Sequence, residues 1–63
     1  MKIENVKQRI SNFFSDTENE KLRKKYIDFC FAKFERLKKC NPKTCDSELI
    51  KIAISITITE FGL

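Results

Sequence analysis

The chain has 63 residues and a net charge of +4, enough for one small interaction domain spanning residues 1–63 and too short for two domains. Six phenylalanines, one tyrosine and eight isoleucines exclude an intrinsically disordered chain, because disorder requires few aromatic and β-branched residues. A domain of this size buries only about 60% of its unfolded surface. We therefore expect another protein, or a second copy of the chain, to cover part of the apolar surface.

The basic residues are concentrated in the middle of the sequence. Residues 21–43 contain nine lysines and arginines and only two acidic residues, Asp28 and Glu35. This asymmetry bears on the choice of partner rather than on the fold. The three cysteines, with no apolar stretch after Lys2, predict free thiols, no signal peptide and a cytoplasmic location. No apolar run reaches the roughly 20 residues that a membrane span needs.

The first predicted element is an amphipathic helix over residues 3–14. Its apolar residues recur at the spacing of one helical face: Ile3, Val6, Ile10, Phe13 and Phe14. The polar segment Ser15-Asp16-Thr17 follows and interrupts the pattern.

The second predicted element is a long helix over residues 17–40. Ser15 with Glu18, and Thr17 with Glu20, match the capping box that satisfies free amide donors at a helix start. Pro42 disfavours helical geometry in the residue before it, so the helix should end by Asn41. A broad apolar stripe runs along it: Leu22, Tyr26, Ile27, Phe29, Cys30, Phe34 and Leu37.

The third element permits two interpretations. Isoleucines alternate with polar residues and alanine from Ile50 to Thr59, which is typical of a strand. Asp46-Ser47-Glu48 favours a helix start, and Gly62 a left-handed helix end against which Leu63 packs back. No other segment offers a strand to pair with, so we favour a nearly all-round apolar helix over residues 47–61. The predicted fold is an all-α small helical bundle completed by dimerisation; the alternative is α+β, with residues 49–59 pairing as a strand between chains.

The sequence contains few residues of the kinds that catalysis or cofactor binding requires. Histidine is absent, and one glycine cannot build a phosphate-binding loop. Cys30, Cys40, Cys45 and Asp46 do not follow the ligand spacing of a structural zinc site. We therefore expect no enzyme activity, no metal site and no cofactor.

One basic stripe is a candidate for binding a polyanion. At about 100° per residue, Lys21, Lys25, Arg36 and Lys39 lie along one narrow face of the second helix, with Ala32 among them. Cations directed at one surface suit phosphate binding. The simpler alternative is a solvated face that keeps the chain soluble.

A second set of residues is a candidate interface. Phe31 lies at the edge of the apolar stripe of the second helix, and Ile50, Ile54 and Ile58 would form an apolar row on the third. Exposed aromatic anchors are enriched at protein interfaces.

The sequence favours a small non-enzymatic regulatory protein, such as an inhibitor, that binds and modulates another protein as a homodimer. The alternative is a nucleic-acid-binding transcriptional regulator that uses the basic stripe of the second helix. A membrane-surface peptide is a third, less favoured interpretation.

Overall fold

Three α-helices form the described part of the chain: α1 spans Ile3–Phe13, α2 spans Glu20–Cys40 and α3 spans Asp46–Phe61. The structure, a computed structural model, describes residues 3–63, with side chains described from Asn5 onwards. The side chain of Ile3, predicted on the apolar face of the first helix, lies outside the described residues. No strand occurs between residues 3 and 63. The all-α prediction is confirmed, and the α+β alternative is wrong.

The start of α2 differs from the prediction. Asn19 is the N-cap: its side-chain oxygen accepts hydrogen bonds from the backbone amides of Lys21 at 3.0 Å and Leu22 at 3.2 Å. The helix therefore begins at Glu20 rather than at residue 17. Ser15 is not the cap of α2; its hydroxyl donates to the carbonyl of Asn12 at 2.8 Å, before the helix begins. Of several capping residues in this segment, the one next to the helix satisfies the free amides.

The end of α3 follows the predicted left-handed geometry. Gly62 has φ +68°, and the amide of Leu63 donates to the carbonyl of Ile58 at 3.0 Å. This bond satisfies a carbonyl that the last helical turn leaves free. The predicted packing of Leu63 against the helix is wrong, since its side chain is 55% exposed.

Helices α2 and α3 form an antiparallel hairpin. At one end, Lys38 of α2 pairs with Asp46 at the start of α3, with 2.8 Å between Nζ and Oδ1. At the other end, the ring of Phe61 lies 4.9 Å from that of Tyr26 and 5.1 Å from that of Phe29, between centroids. The polar turn at residues 41–45 joins the helices.

A single core lies where the three helices meet. Thr57 is the one buried polar residue among the described side chains, and its hydroxyl donates to the carbonyl of Ala53 at 2.8 Å. A hydroxyl satisfied within its own helix can be buried at little cost. The apolar members of the core are Val6, Ile10, Phe14, Tyr26, Cys30, Phe34, Leu49, Ile50 and Ala53.

Helix α1 covers only one face of the hairpin. Lys7 lies over the ring of Phe31, 4.9 Å from its centroid, and Phe14 contacts Tyr26 at 5.7 Å between ring centroids. With 11 residues against 21 in α2, α1 is about half as long as the helix it packs on. The opposite face of the hairpin receives no third helix from the described chain.

Candidate functional site

The predicted apolar interface residues are divided between the core and the surface. Ile50 is 4% exposed and belongs to the core. Phe31 is half-buried, stacked on Phe34 at 6.3 Å and covered by Lys7. Ile54 and Ile58 are half-buried on α3, and Ile54 packs against the core. Only part of the predicted row is therefore available to a partner of this monomer.

The predicted basic stripe is exposed along its whole length. Lys21, Lys25, Arg36 and Lys39 are all solvent-exposed on α2, as is Ala32 among them. Among the described residues the ion pairs are Arg23–Glu20 and Lys38–Asp46, so no carboxylate neutralises a member of this stripe. Lys25 lies over the ring of Phe61, 5.6 Å from the ring centroid.

The uncovered side of the hairpin forms a surface that we call the open face. Phe29, Lys33 and Cys40 lie on the side of α2 opposite Ile27 and Phe31, which α1 approaches. The exposed apolar residues Leu22 and Ile52, 41% and 42% accessible, extend this surface along the two helices. The open face comprises Leu22, Phe29, Lys33, Arg36 and Cys40 on α2, with Ile52 and Ile56 on α3.

A groove of about 300 Å³ lies in the open face, toward its Cys40 end. Leu37, Cys40 and Ile56 supply its apolar surface, and Lys33 and Arg36 border it from α2. Lys33 also lies over the ring of Phe29, 5.1 Å from the centroid, so its stem covers apolar surface while its ammonium stays at the rim. Arg36 belongs both to this groove and to the basic stripe, so the two features adjoin.

The open face was not predicted as a unit from the sequence. Its α2 members are separated by the i, i+4, i+7, i+11 steps of one helical ridge: Phe29, Lys33, Arg36 and Cys40. This mixed apolar and cationic ridge was visible in the sequence. Whether this ridge is exposed depends on which side of α2 the short first helix covers. The periodicity of α2 does not contain that information.

The three cysteines differ in burial. Cys30 is buried in the core, where burial raises the pKa of its thiol. Cys40 and Cys45 are exposed free thiols. In the part of the chain that the structure describes, no three cysteine, aspartate or glutamate side chains converge as metal ligands do.

A second depression, of about 270 Å³, lies between α1 and α2. Six of the seven residues that line it are polar or charged. Among them Arg23 lies 3.8 Å from Glu20, so its charge is already partly matched within the chain. The open face, in contrast to this depression, combines apolar surface with charges that have no partner among the described residues. Protein interfaces commonly combine these two features.

Comparisons with protein-family models, with curated proteins and with solved structures find no match to this chain. Between residues 3 and 63, none of the helices combines the length and apolar character that crossing a bilayer requires. The site is therefore defined by the geometry of its own residues.

Proposed function

We propose that the protein is a small non-enzymatic regulatory module that binds another protein through the open face. The observation that carries this proposal is the groove formed by Leu37, Cys40 and Ile56, left bare because α1 packs on the other side of the hairpin. Two packed helices with an apolar groove between them form a site that a third helix can fill.

The distribution of exposed apolar side chains supports this proposal. Of the large apolar residues that are exposed, Leu22 and Ile52 lie on the helix sides that border the groove, whereas Phe13 lies on α1 and Leu63 follows α3. Contiguous apolar surface bordered by polar groups marks interaction sites, whereas isolated exposed apolar residues are ordinary. Arginine at such a border is enriched in protein interfaces, and Arg36 occupies that position.

Site-specific photo-crosslinking tests the proposal. A benzophenone amino acid replaces Ile56 on the open face or, as the control, Gln8 on the exposed side of α1, in the cells that make the protein. We expect a discrete protein adduct from position 56, absent from position 8, whose purified partner binds the isolated chain. Adducts with nucleic acid or lipid alone, or equal adducts from both positions, would contradict it.

Nucleic-acid binding is the second candidate, because all four lysines and arginines of the basic stripe are exposed and unpaired among the described residues. Phosphate contacts by several bases predict affinity that falls steeply with salt. A retardation assay at two salt concentrations measures this dependence. Lys21→Glu with Lys39→Glu alters the stripe without altering the groove, whereas Lys33→Glu with Ile56→Ser does the reverse. Loss of binding in the first pair only would favour nucleic acid.

A further inference from the structure

We propose that the occupant of the open face is an acidic amphipathic helix of the partner protein. This inference rests on the function proposed above and specifies the chemistry of the partner. The helix presents apolar residues to Leu37 and Ile56 and places carboxylates beside Lys33 and Arg36.

The shape of the open face favours a helix. Leu22 and Cys40 are eighteen residues apart on α2, about 27 Å along the helix axis. Toward Cys40, α2 and the antiparallel α3 border a channel lined by Leu37, Cys40 and Ile56. A helix laid along such a channel inserts its i, i+3, i+4 and i+7 side chains between two rows of neighbours, as in helix-in-groove recognition. Its own backbone groups are already hydrogen-bonded, so apolar burial leaves none unpaired.

The charge of the open face favours carboxylates in the partner. Lys33 and Arg36 border the α2 side of the channel, and neither makes an ion pair among residues 5–63. The α3 side carries exposed Ser55 and Thr59, with Glu60 one turn beyond Ile56. The positive charge therefore lies along one border only. A partner helix with glutamate or aspartate on the flank that faces α2 supplies the missing charge, and Arg36 can pair with it in a bidentate manner.

The same features disfavour other occupants. A second copy related by a two-fold axis would place the open face of one chain against that of the other. The α3 border of that copy offers Glu60 against Lys33 and Arg36, so positive charge would exceed negative charge across the interface. Nucleic acid bound through its phosphates would contact Lys33 and Arg36 but leave the aliphatic surface of Leu37 and Ile56 unused. A protein helix uses both the groove and its charged border.

The test measures binding of synthetic helical peptides to the full chain by fluorescence anisotropy and by amide chemical-shift mapping. The first probe is an amphipathic peptide with leucine on one face and glutamate on its flanks. The second replaces every glutamate with lysine, and the third scrambles the first so that the apolar face is lost. We expect the acidic amphipathic peptide to bind, with the largest shifts at Lys33, Arg36 and Ile56, and the other two to bind at least about tenfold more weakly.

Two double variants of the protein locate the charge effect. Lys33→Glu with Arg36→Glu reverses the border of the groove, and we expect at least about tenfold weaker binding of the acidic peptide together with stronger binding of the lysine peptide. Lys24→Glu with Lys51→Glu makes the same change in net charge away from the open face and should leave both affinities within about twofold of the original. All four positions are solvent-accessible, so circular dichroism should show the fold unchanged.

Several outcomes would overturn the inference. Equal binding of the acidic and lysine peptides, shifts confined to another face, or equal effects of the two double variants would each remove the acidic helix as the occupant. Self-association lost through Ile56→Ser would assign the face to a second copy. Binding of anionic vesicles or of duplex DNA in place of the acidic peptide would assign it to a polyanion. If the position 56 crosslinks identify a protein whose contacting segment is not an acidic helix, this inference fails while the proposed function stands.

Discussion

Lys38 and Asp46 join the end of α2 to the start of α3: Lys38 Nζ lies 2.8 Å from Asp46 Oδ1 and also donates to the carbonyl of Thr44 at 3.3 Å. The Asp46 side chain is only 14% exposed. The hydrogen bond from Lys38 lowers the pKa of the Asp46 carboxyl below its ordinary value. This contact fixes the turn between the two helices that build the open face.

Replacing Asp46 with Asn should therefore destabilise the protein in a pH-dependent way. A carboxyl whose pKa is lower in the folded state stabilises that state above its unfolded pKa of about 4, and loses this effect as the pH falls through the folded value. Urea unfolding should show the original chain more stable than Asp46→Asn at neutral pH. The difference should shrink progressively below about pH 4.

Glu48→Gln is the matched control for this prediction. It removes another carboxylate from the first turn of α3, but Glu48 is exposed and makes no ion pair with a described residue. Its effect should be smaller than that of Asp46→Asn at neutral pH. Equal effects would assign the stabilisation to the helix terminus rather than to Lys38.

Replacing Gly62 with Ala should lower stability by about 1 kcal/mol, because an L-residue is strained at φ +68°. Space is not the cause: no atom lies within 4 Å of the position a Cβ would take. Thermal unfolding should show the melting temperature reduced by roughly 5 °C. A chemically synthesised chain with D-alanine at position 62 is the control, since a D-residue adopts this backbone freely. Equal losses from L- and D-alanine would exclude backbone strain as the cause.

The three thiols should differ in reactivity according to their burial. Cys40 and Cys45 are exposed, whereas Cys30 is fully buried and burial raises its pKa, so its thiolate is scarce and inaccessible. A chromogenic disulfide reagent should modify Cys40 and Cys45 quickly and Cys30 only when the chain unfolds. In the double variant Cys40→Ser with Cys45→Ser, the remaining reaction should accelerate with denaturant. Fast modification of Cys30 in the folded double variant would show that the core opens locally.

The sequence predicted the number and type of helices because each carries its own periodicity and end signals. The isoleucine alternation of residues 50–58 was ambiguous, and the choice of helix depended on the lack of a strand to pair with. In the helix, Leu49, Ala53 and Thr57 form the buried row, so a threonine takes a core position that an apolar pattern alone assigns elsewhere. Tertiary contacts with α2 decide this outcome, and local propensity does not.

The candidate site was predictable in part. The basic stripe was found because four cations on one helix face need only the helix period. The burial of Ile50 differs from its predicted place in the interface row, since it depends on the angle at which α3 meets α2. The groove beside Ile56 required knowing the side on which α1 packs. A one-dimensional pattern records the faces of each helix but not which faces meet.

Homodimer formation is a prediction from the sequence, and it can be tested by substitutions on a specific surface. An excess of positive charge disfavours pairing of the open face with itself, and Lys7 already covers Phe31, so we expect any dimer to use the half-buried Ile54 and Ile58. Ile58→Ser should then weaken self-association in sedimentation experiments, because it removes apolar area from that contact. Ile56→Ser makes the same chemical change on the open face and should leave self-association intact. A strict monomer up to high micromolar concentration would exclude the dimer, whereas a dimer disrupted only by Ile56→Ser would transfer it to the open face.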